Sequence, residues 1–473
     1  MMKIKFFVVV IFFTGFLSAQ ITKETLVSKL DSLTQTSFFD TASISIDIYD
    51  LTAKNILYQK NNKLLLHPAS NMKILTSSAG LLFLGEDFTF ETALFYDGII
   101  IDSALYGNLY FVGGCDPDFT ISDLQVLISA VKDLGLTRIQ GNIYGDVSML
   151  DSLFWGDGWM WNDDPSTDFP YLTPLTINDN AVKVHIFAAE IDSAPKVLIE
   201  PATNFLKIEN LAKTVNSGRT SLEITRDFVH RKNDLLIKGF INQGDSTYTD
   251  EINVVYPEKY FLILAKEEIE KLGIAFIGTT EILPLPKETK HLSSFKRKFI
   301  EVIHNLNKQS DNLSAEMTLR ALALKFYGKP ATAVNGVLVV DSLIALAGME
   351  PRNYRIVDGS GVSHYNLVST ELLNAVLKYF YPQQPGLCAK LAASFPLAGV
   401  DGTLKRRMKG TLAENNVRAK TGTISGVSAL SGFIKAKNNH QLSFSMMVQN
   451  HVRKTSRAVY FLDRICILLS QLE

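Results

Sequence analysis

The chain has 473 residues, a hydrophobic fraction of 47%, a charged fraction of 20% and a formal net charge of -1. That apolar content excludes a disordered chain, the balanced charge gives no global pull toward nucleic acid, and the length calls for several domains of about 100 to 200 residues each. Three cysteines, Cys115, Cys388 and Cys466, allow at most one internal bridge, so neither a disulfide framework nor a cysteine-based metal site is expected.

Residues 1–19 read as an export leader. Lys3 and Lys5 supply a positive start, Phe6 to Phe13 an apolar run, and Leu17-Ser18-Ala19 a small-residue cleavage site before Gln20. Thr14 and Gly15 interrupt the stretch, which is short for an anchor needing about 20 apolar residues. No cysteine follows the site to carry a lipid, and loss of Lys3 and Lys5 takes the net charge from -1 to -3. No later stretch is apolar enough to span a membrane.

Beyond the leader, Ile21 to Leu33 has helical spacing, and Ser43 to Ile48 alternates in the manner of a half-buried strand that Asn55 to Tyr58 extends into a hairpin. Pro68 opens a helix that runs through Ala79 to about Phe83 and stops at Gly85. From Phe88 to Leu285 the character is short β-type runs, such as Leu109 to Val112 and Leu235 to Ile241, closed by a helix over Glu258 to Leu272. Within it, Val182 to Asp250 reads as an all-β piece with turns at Gly218 and Asn233. Helices return over Phe295 to Tyr327 and Thr332 to Ala347. The turn Asp358-Gly359-Ser360-Gly361 and a helix over Ser369 to Tyr381 follow. Strands at Arg418 to Thr423, Val427 to Lys435 and Leu442 to Val448, and a closing helix over Thr455 to Leu472, complete the chain. One domain is therefore expected to assemble from both ends of the sequence.

Three short strings carry the chemistry: Ser70-Asn71-Met72-Lys73, Ser310-Asp311-Asn312 and Lys420-Thr421-Gly422. S-x-x-K alone says little, since it recurs at Ser129, Ser193 and Ser293, but the other two strings each occur once and follow in order. Singly, each has a plain structural explanation: a surface lysine, a helix cap, a strand end. Jointly, on helix, loop and strand, they describe an acyl-transferring serine enzyme that uses lysine as its base.

Ser70 and Lys73, three apart, share one helical face. Lys73 serves as base only with an appreciable neutral fraction, which requires burial or a second cation. Lys420 is the candidate cation: at about 4 to 6 Å and an effective dielectric of about 20, two ammonium groups repel by about 3 to 4 kcal/mol. Ser310 is expected to relay a proton to the leaving amine, and Asn312 to hold Lys73 and a substrate amide. Lys420, Thr421 and Thr423 are expected to grip a substrate carboxylate, with Gly422 letting the backbone pass close to the ligand. The Ser70 and Thr423 N–H groups are candidates for an oxyanion hole. His67, three residues before Ser70, is an alternative base, but its place ahead of the helix favours a structural role.

The sequence resembles the class C, low-molecular-mass penicillin-binding proteins with D-alanyl-D-alanine carboxypeptidase and endopeptidase activity. Besides the catalytic strings, the likeness includes Val112-Gly113-Gly114-Cys115-Asp116-Pro117, Gly158-Trp159-Met160-Trp161-Asn162-Asp163, Asp358-Gly359-Ser360-Gly361 and Ala398-Gly399-Val400-Asp401-Gly402-Thr403. The resemblance implies an α+β fold: a penicillin-recognising domain, an antiparallel sheet flanked by helices, interrupted by a β-rich two-part insertion. The expected division is 20–87 with 290–473 for the catalytic domain, 88–181 with 251–289 for the insertion, and 182–250 for a small β-rich domain nested inside it. It further implies an acyl-enzyme on Ser70, no cofactor or metal, peptidoglycan peptides and β-lactams as ligands, and a periplasmic place of action. Asp163 is implied to reach the substrate's diamino-acid side chain. Two positions depart from the family: Cys115 stands where glycine is usual, and His364 where arginine is frequent. The basic run Lys405-Arg406-Arg407 with Lys409 reads either as a lure for acidic wall peptides or as a solvated loop. A β-lactamase sharing the three strings and a non-catalytic peptidoglycan-binding protein are the alternatives.

Overall fold

The computed structural model describes residues 21–473, so the export leader lies outside the described residues. Both ends of the described chain meet in one antiparallel sheet of five strands, in the order Arg418–Ile424, Val427–Lys435, Gln441–Gln449, Ser43–Asp50, Asn55–Lys60. Ser45 pairs with Met447 and Lys420 with Ser431, which places the third sequence string on an edge strand.

The alternation in Ser43–Asp50 sends Ile44, Ile46 and Ile48 into a core shared with Leu26 and Leu30 of the helix Lys23–Thr34 and with Leu462, Ile465 and Leu469 of the closing helix. The opposite, polar face is buried too, contrary to the half-buried expectation: Ser45 is 0% and Asp47 1% exposed. The helix Thr370–Gln383 covers it and supplies the missing partners, since Thr370 Oγ1 lies 2.7 Å from Ser45 Oγ and Asn374 Nδ2 donates to Asp47 Oδ1 at 2.5 Å. Buried polar groups persist when hydrogen-bonded, which period alone cannot reveal. Around Met72, Leu75, Phe299, Leu313, Leu343 and Leu372 a larger core joins this sheet face to the helices.

A second body is built on a five-stranded sheet, Thr280–Ile282, Ile143–Asp146, Leu109–Val112, Thr89–Tyr96 and Lys290–Lys298 in that order. The parallel pair Leu109–Val112 and Ile143–Asp146 is bridged by a helix, Ile121–Asp133, that the sequence reading lacks; a Thr120/Asp123 capping box starts it. Lys290–Lys298 corrects one expectation: the helix predicted from Phe295 begins only at Phe299, after a strand that pairs with Thr89–Tyr96 along its length. Its residues are mostly Lys, Ser and Arg, with Leu292 and Phe295 half-buried, the composition of an edge strand. Two smaller sheets, Ala181–Phe187 with Lys196–Glu200 and Thr247–Asn253, and Ile208–Asn210, Lys213–Val215, Ser221–Arg226 and Leu235–Asn242, make up the all-β piece. All three cysteines are buried and unpaired.

Candidate active site

Ser70 sits in a tight turn, Ala69–Asn71, that leads into the helix Met72–Ala79. One turn later Lys73, 0% exposed, donates from Nζ to Ser70 Oγ at 3.0 Å, to Asn312 Oδ1 at 2.5 Å and to the Ser360 carbonyl at 2.9 Å. Burial pushes its ammonium down to about 8, against the opposing pull of Asp311, Asp358, Glu316 and Asp168. Desolvation is therefore the leading cause at Lys73. The repulsion between the two ammonium groups falls on Lys420, held well below the ordinary lysine range by its own burial and then by Lys73.

The second string breaks what the sequence reads as one continuous helix. Ser310 adopts a left-handed backbone, φ 68°, between the wide turn Asn305–Gln309 and the helix Asn312–Tyr327, which Asp311 caps by accepting from the Ser314 N–H at 2.5 Å. The same loop thus caps the helix and sets Ser310 and Asn312 on the cleft. Ser310 Oγ accepts from Lys420 Nζ at 2.8 Å. Asn312, besides holding Lys73, donates from Nδ2 to the Asp168 carbonyl at 2.6 Å, so one of its two amide hydrogens is committed to the protein.

On the edge strand, Lys420 is 0% exposed and also donates to the Thr421 carbonyl at 2.9 Å, while Thr421 Oγ1 lies 2.7 Å from Thr403 Oγ1. Gly422 makes a close approach, but to protein: an added Cβ would stand 2.8 Å from the Pro68 carbonyl and 3.1 Å from the Asn71 nitrogen, so the missing side chain seats the strand on the start of the Ser70 helix. Ser70, Ser310, Asn312, Thr421 and Thr423 line one cleft of about 560 Å³. Asp163 and His364 line it as well. The Asp163 carboxylate accepts from the Met160 N–H at 2.7 Å, and partial burial pushes its pKa up against the effects of that bond and of His364.

Four groups that the sequence reading leaves without a role complete the site. Ser360 gives its carbonyl to Lys73. Glu316, four residues after Asn312 on the same helix, accepts both the Gly359 and Ser360 N–H at 2.9 Å. Asp358, 1% exposed, accepts from the Gly361 and Ser363 N–H groups, Asn366 and Trp159. Asp168 holds Asn312. The i, i+4 spacing of Asn312 and Glu316 is a signal that could have found Glu316; the others depend on tertiary contact.

His67 Nδ1 lies 3.1 Å from the Asn366 carbonyl. Cys115, at φ 59°, packs its Sγ against Met149 Sδ at 3.5 Å, and burial pushes the thiol up to about 12. Within the basic run, Arg407 lines the cleft but pairs with Asp463 at 2.6 Å, whereas Lys405, Arg406 and Lys409 are exposed.

A two-body α+β chain whose sheet edge, helix start and polar loop bring serine, two buried lysines and an asparagine to one cleft is a penicillin-recognising serine enzyme. The chain belongs to the D-Ala-D-Ala carboxypeptidase 3 (S13) family, whose model matches residues 26–461. It is 29% identical over 85% of its length to D-alanyl-D-alanine carboxypeptidase DacB of Haemophilus influenzae, covering 84% of that protein. It is 27% identical over 93% of its length to the D-alanyl-D-alanine carboxypeptidase of an Actinomadura species, again covering 84%. The crystal structure of penicillin binding protein 4 from Haemophilus influenzae superposes with a TM-score of 0.81 at 27% identity, over 92% of this chain and 97% of that one. The same protein complexed with a β-lactam gives a TM-score of 0.77 at 25% identity, over 93% and 97%. No described helix is long and apolar enough to cross a membrane.

Proposed function

We propose that this carboxypeptidase cleaves D-alanyl-D-alanine ends and crosslinks of peptidoglycan stem peptides in the periplasm through an acyl-enzyme on Ser70, and that β-lactams trap it there. The observation that carries this reading is Lys73: fully buried, brought toward neutrality and 3.0 Å from Ser70 Oγ. Lys73 takes the Ser70 proton as Oγ attacks the scissile carbonyl, whose oxygen is received by the Ser70 and Thr423 N–H groups. Collapse of the adduct breaks the C–N bond and expels the amine of D-alanine, which takes the proton that Lys73 removed from Ser70, relayed through Ser310, bonded to Lys420, so Lys73 is neutral again. Water then attacks the ester as Lys73 takes one of its protons, and Lys73 returns that proton to Ser70 Oγ as the ester C–O bond breaks, which restores Ser70. Asn312 positions Lys73 and offers its remaining amide hydrogen to the substrate. Lys420, Thr421 and Thr423 receive the terminal carboxylate, whose arrival favours the charged form of Lys420. Asp163, on the cleft wall, takes the amino group of the diamino acid.

The same reading divides the chain into a catalytic domain of residues 20–87 and 290–473, an insertion of 88–181 and 251–289, and a nested β-rich domain of 182–250.

Mass spectrometry after incubation with benzylpenicillin tests the mechanism. A stable adduct on the Ser70 peptide, lost in Ser70→Ala, is expected. An unmodified protein with hydrolysed drug would make the chain a β-lactamase, and intact drug with no adduct would make it a binding protein.

A further inference from the structure

Arg226 lies on the strand Ser221–Arg226 of the small β-rich piece, and its side chain is 1% exposed. A guanidinium has five N–H donors, and here every one has an acceptor. Nε donates to Asp164 Oδ2 at 3.1 Å, and Nη1 to the Asn253 carbonyl at 2.6 Å and to Asn233 Oδ1 at 3.3 Å. Nη2 donates to Asp164 Oδ1 and Asn253 Oδ1. Asn253 in turn gives both amide hydrogens to one segment, to the carbonyls of Ser166 and Phe169, each at 2.9 Å. That segment, 163–169, carries Asp163, Asp168 and Phe169 to the cleft wall, and its Asp168 carbonyl receives Asn312 Nδ2 at 2.6 Å.

The contacts form an unbroken path from a sheet outside the catalytic body to Asn312, whose other end holds Lys73 at 2.5 Å. We propose that Arg226 is a positioning residue for acyl transfer, fixing Asn312 and Lys73 through Asp164, Asn253 and the 163–169 segment. This inference rests on the proposed roles of Ser70 and Lys73. It also gives the small β-rich piece a purpose, since a loop that enters a cleft is a poor support for a catalytic group unless it is tied behind. A buried fork bonded to three separate stretches of chain ties it where a lysine, with three donors on one atom, cannot.

The test is the rate of benzylpenicillin acylation, followed by intact mass spectrometry over long incubations for wild type, Arg226→Lys, Asn312→Ala and the double variant. Arg226→Lys is expected to slow acylation by about tenfold to a hundredfold, the cost of a small misplacement at the reacting atoms. It should also move the midpoint of the acylation pH profile, which mere loss of folded protein would leave fixed. In the Asn312→Ala background the same substitution should change the rate less than about twofold, because the path is already cut. Asp164→Asn is the second variant and should reproduce the effect. Wild-type rates in both folded variants, equal slowing with and without Asn312, or failure of both to fold would overturn the proposal. Absence of Ser70 acylation in the wild type would instead overturn the mechanism beneath it.

Discussion

Lys73 Nζ donates to Ser70 Oγ at 3.0 Å from a position with no exposure to solvent. Burial takes the ammonium down to about 8, so the proposed base is mostly charged at pH 7 and its neutral fraction grows as pH rises. The second-order constant for benzylpenicillin acylation should climb about tenfold per unit at low pH and level off above about 8. Lys73→Arg, which cannot be neutral in this range, should cost about 10³-fold. A profile flat from about pH 6 to 9 would remove Lys73 as the base.

Lys420 is equally buried and bonds Ser310 at 2.8 Å. If it receives the ligand carboxylate, Lys420→Ala should lower acylation by carboxylate-bearing β-lactams by about 10- to 100-fold, the worth of a hydrogen bond to a charged group. Esters of the same compounds should lose less. Stopped-flow or mass-spectrometric acylation rates for both classes check this, and equal losses would contradict the assignment.

Gly422→Ala would place a methyl 2.8 Å from the Pro68 carbonyl and must push the edge strand off the Ser70 helix. Overpacking of this kind costs about 1 to 3 kcal/mol, and the displaced Thr421 and Thr423 should slow acylation with it. Gly386→Ala, where nothing lies within 4 Å, is the control. Thermal unfolding and acylation measured together should separate the two.

Three carboxylates, Asp118, Asp179 and Asp311, converge within 4.8 Å of one another behind the Ser310 loop. Burial first, then Asp311 and Asp116, push Asp118 up to about 7. An aspartate of the unfolded chain releases its proton near pH 4, so between about pH 4 and 7 the native state binds the extra proton and stability falls as pH rises, flattening above 7. Asp118→Asn keeps an acceptor for Asn305, which donates to Asp118 at 2.7 Å. It should raise stability at pH 8 by about 1 to 2 kcal/mol, discounted for partial solvent screening, with the gain vanishing near pH 4. Unfolding at both pH values checks it; an unchanged or lower melting temperature at pH 8 would contradict it.

Local sequence determined a good deal of this protein. The three strings are local patterns whose residue types announce their chemistry, and the helices and strands that carry them follow from period, caps and turn residues: the Pro68 turn, Asp311 at a helix cap, Gly85 at a helix end. Other features had no local signal. Ser43–Asp50 shows the period of a half-buried strand and is buried on both faces, because Thr370 and Asn374, more than three hundred residues away, complete its polar side. Lys290–Lys298 is mostly polar and becomes a strand only by pairing with Thr89–Tyr96. At the site, only the folded chain shows that burial leads in lowering Lys73, that Ser360, Glu316 and Asp358 build its enclosure, and that Gly422 yields space to the start of the Ser70 helix. The physical reason is the same throughout. Residue type and spacing set what a group can do, whereas desolvation, hydrogen-bond partners and close approach depend on segments that only the tertiary structure brings together.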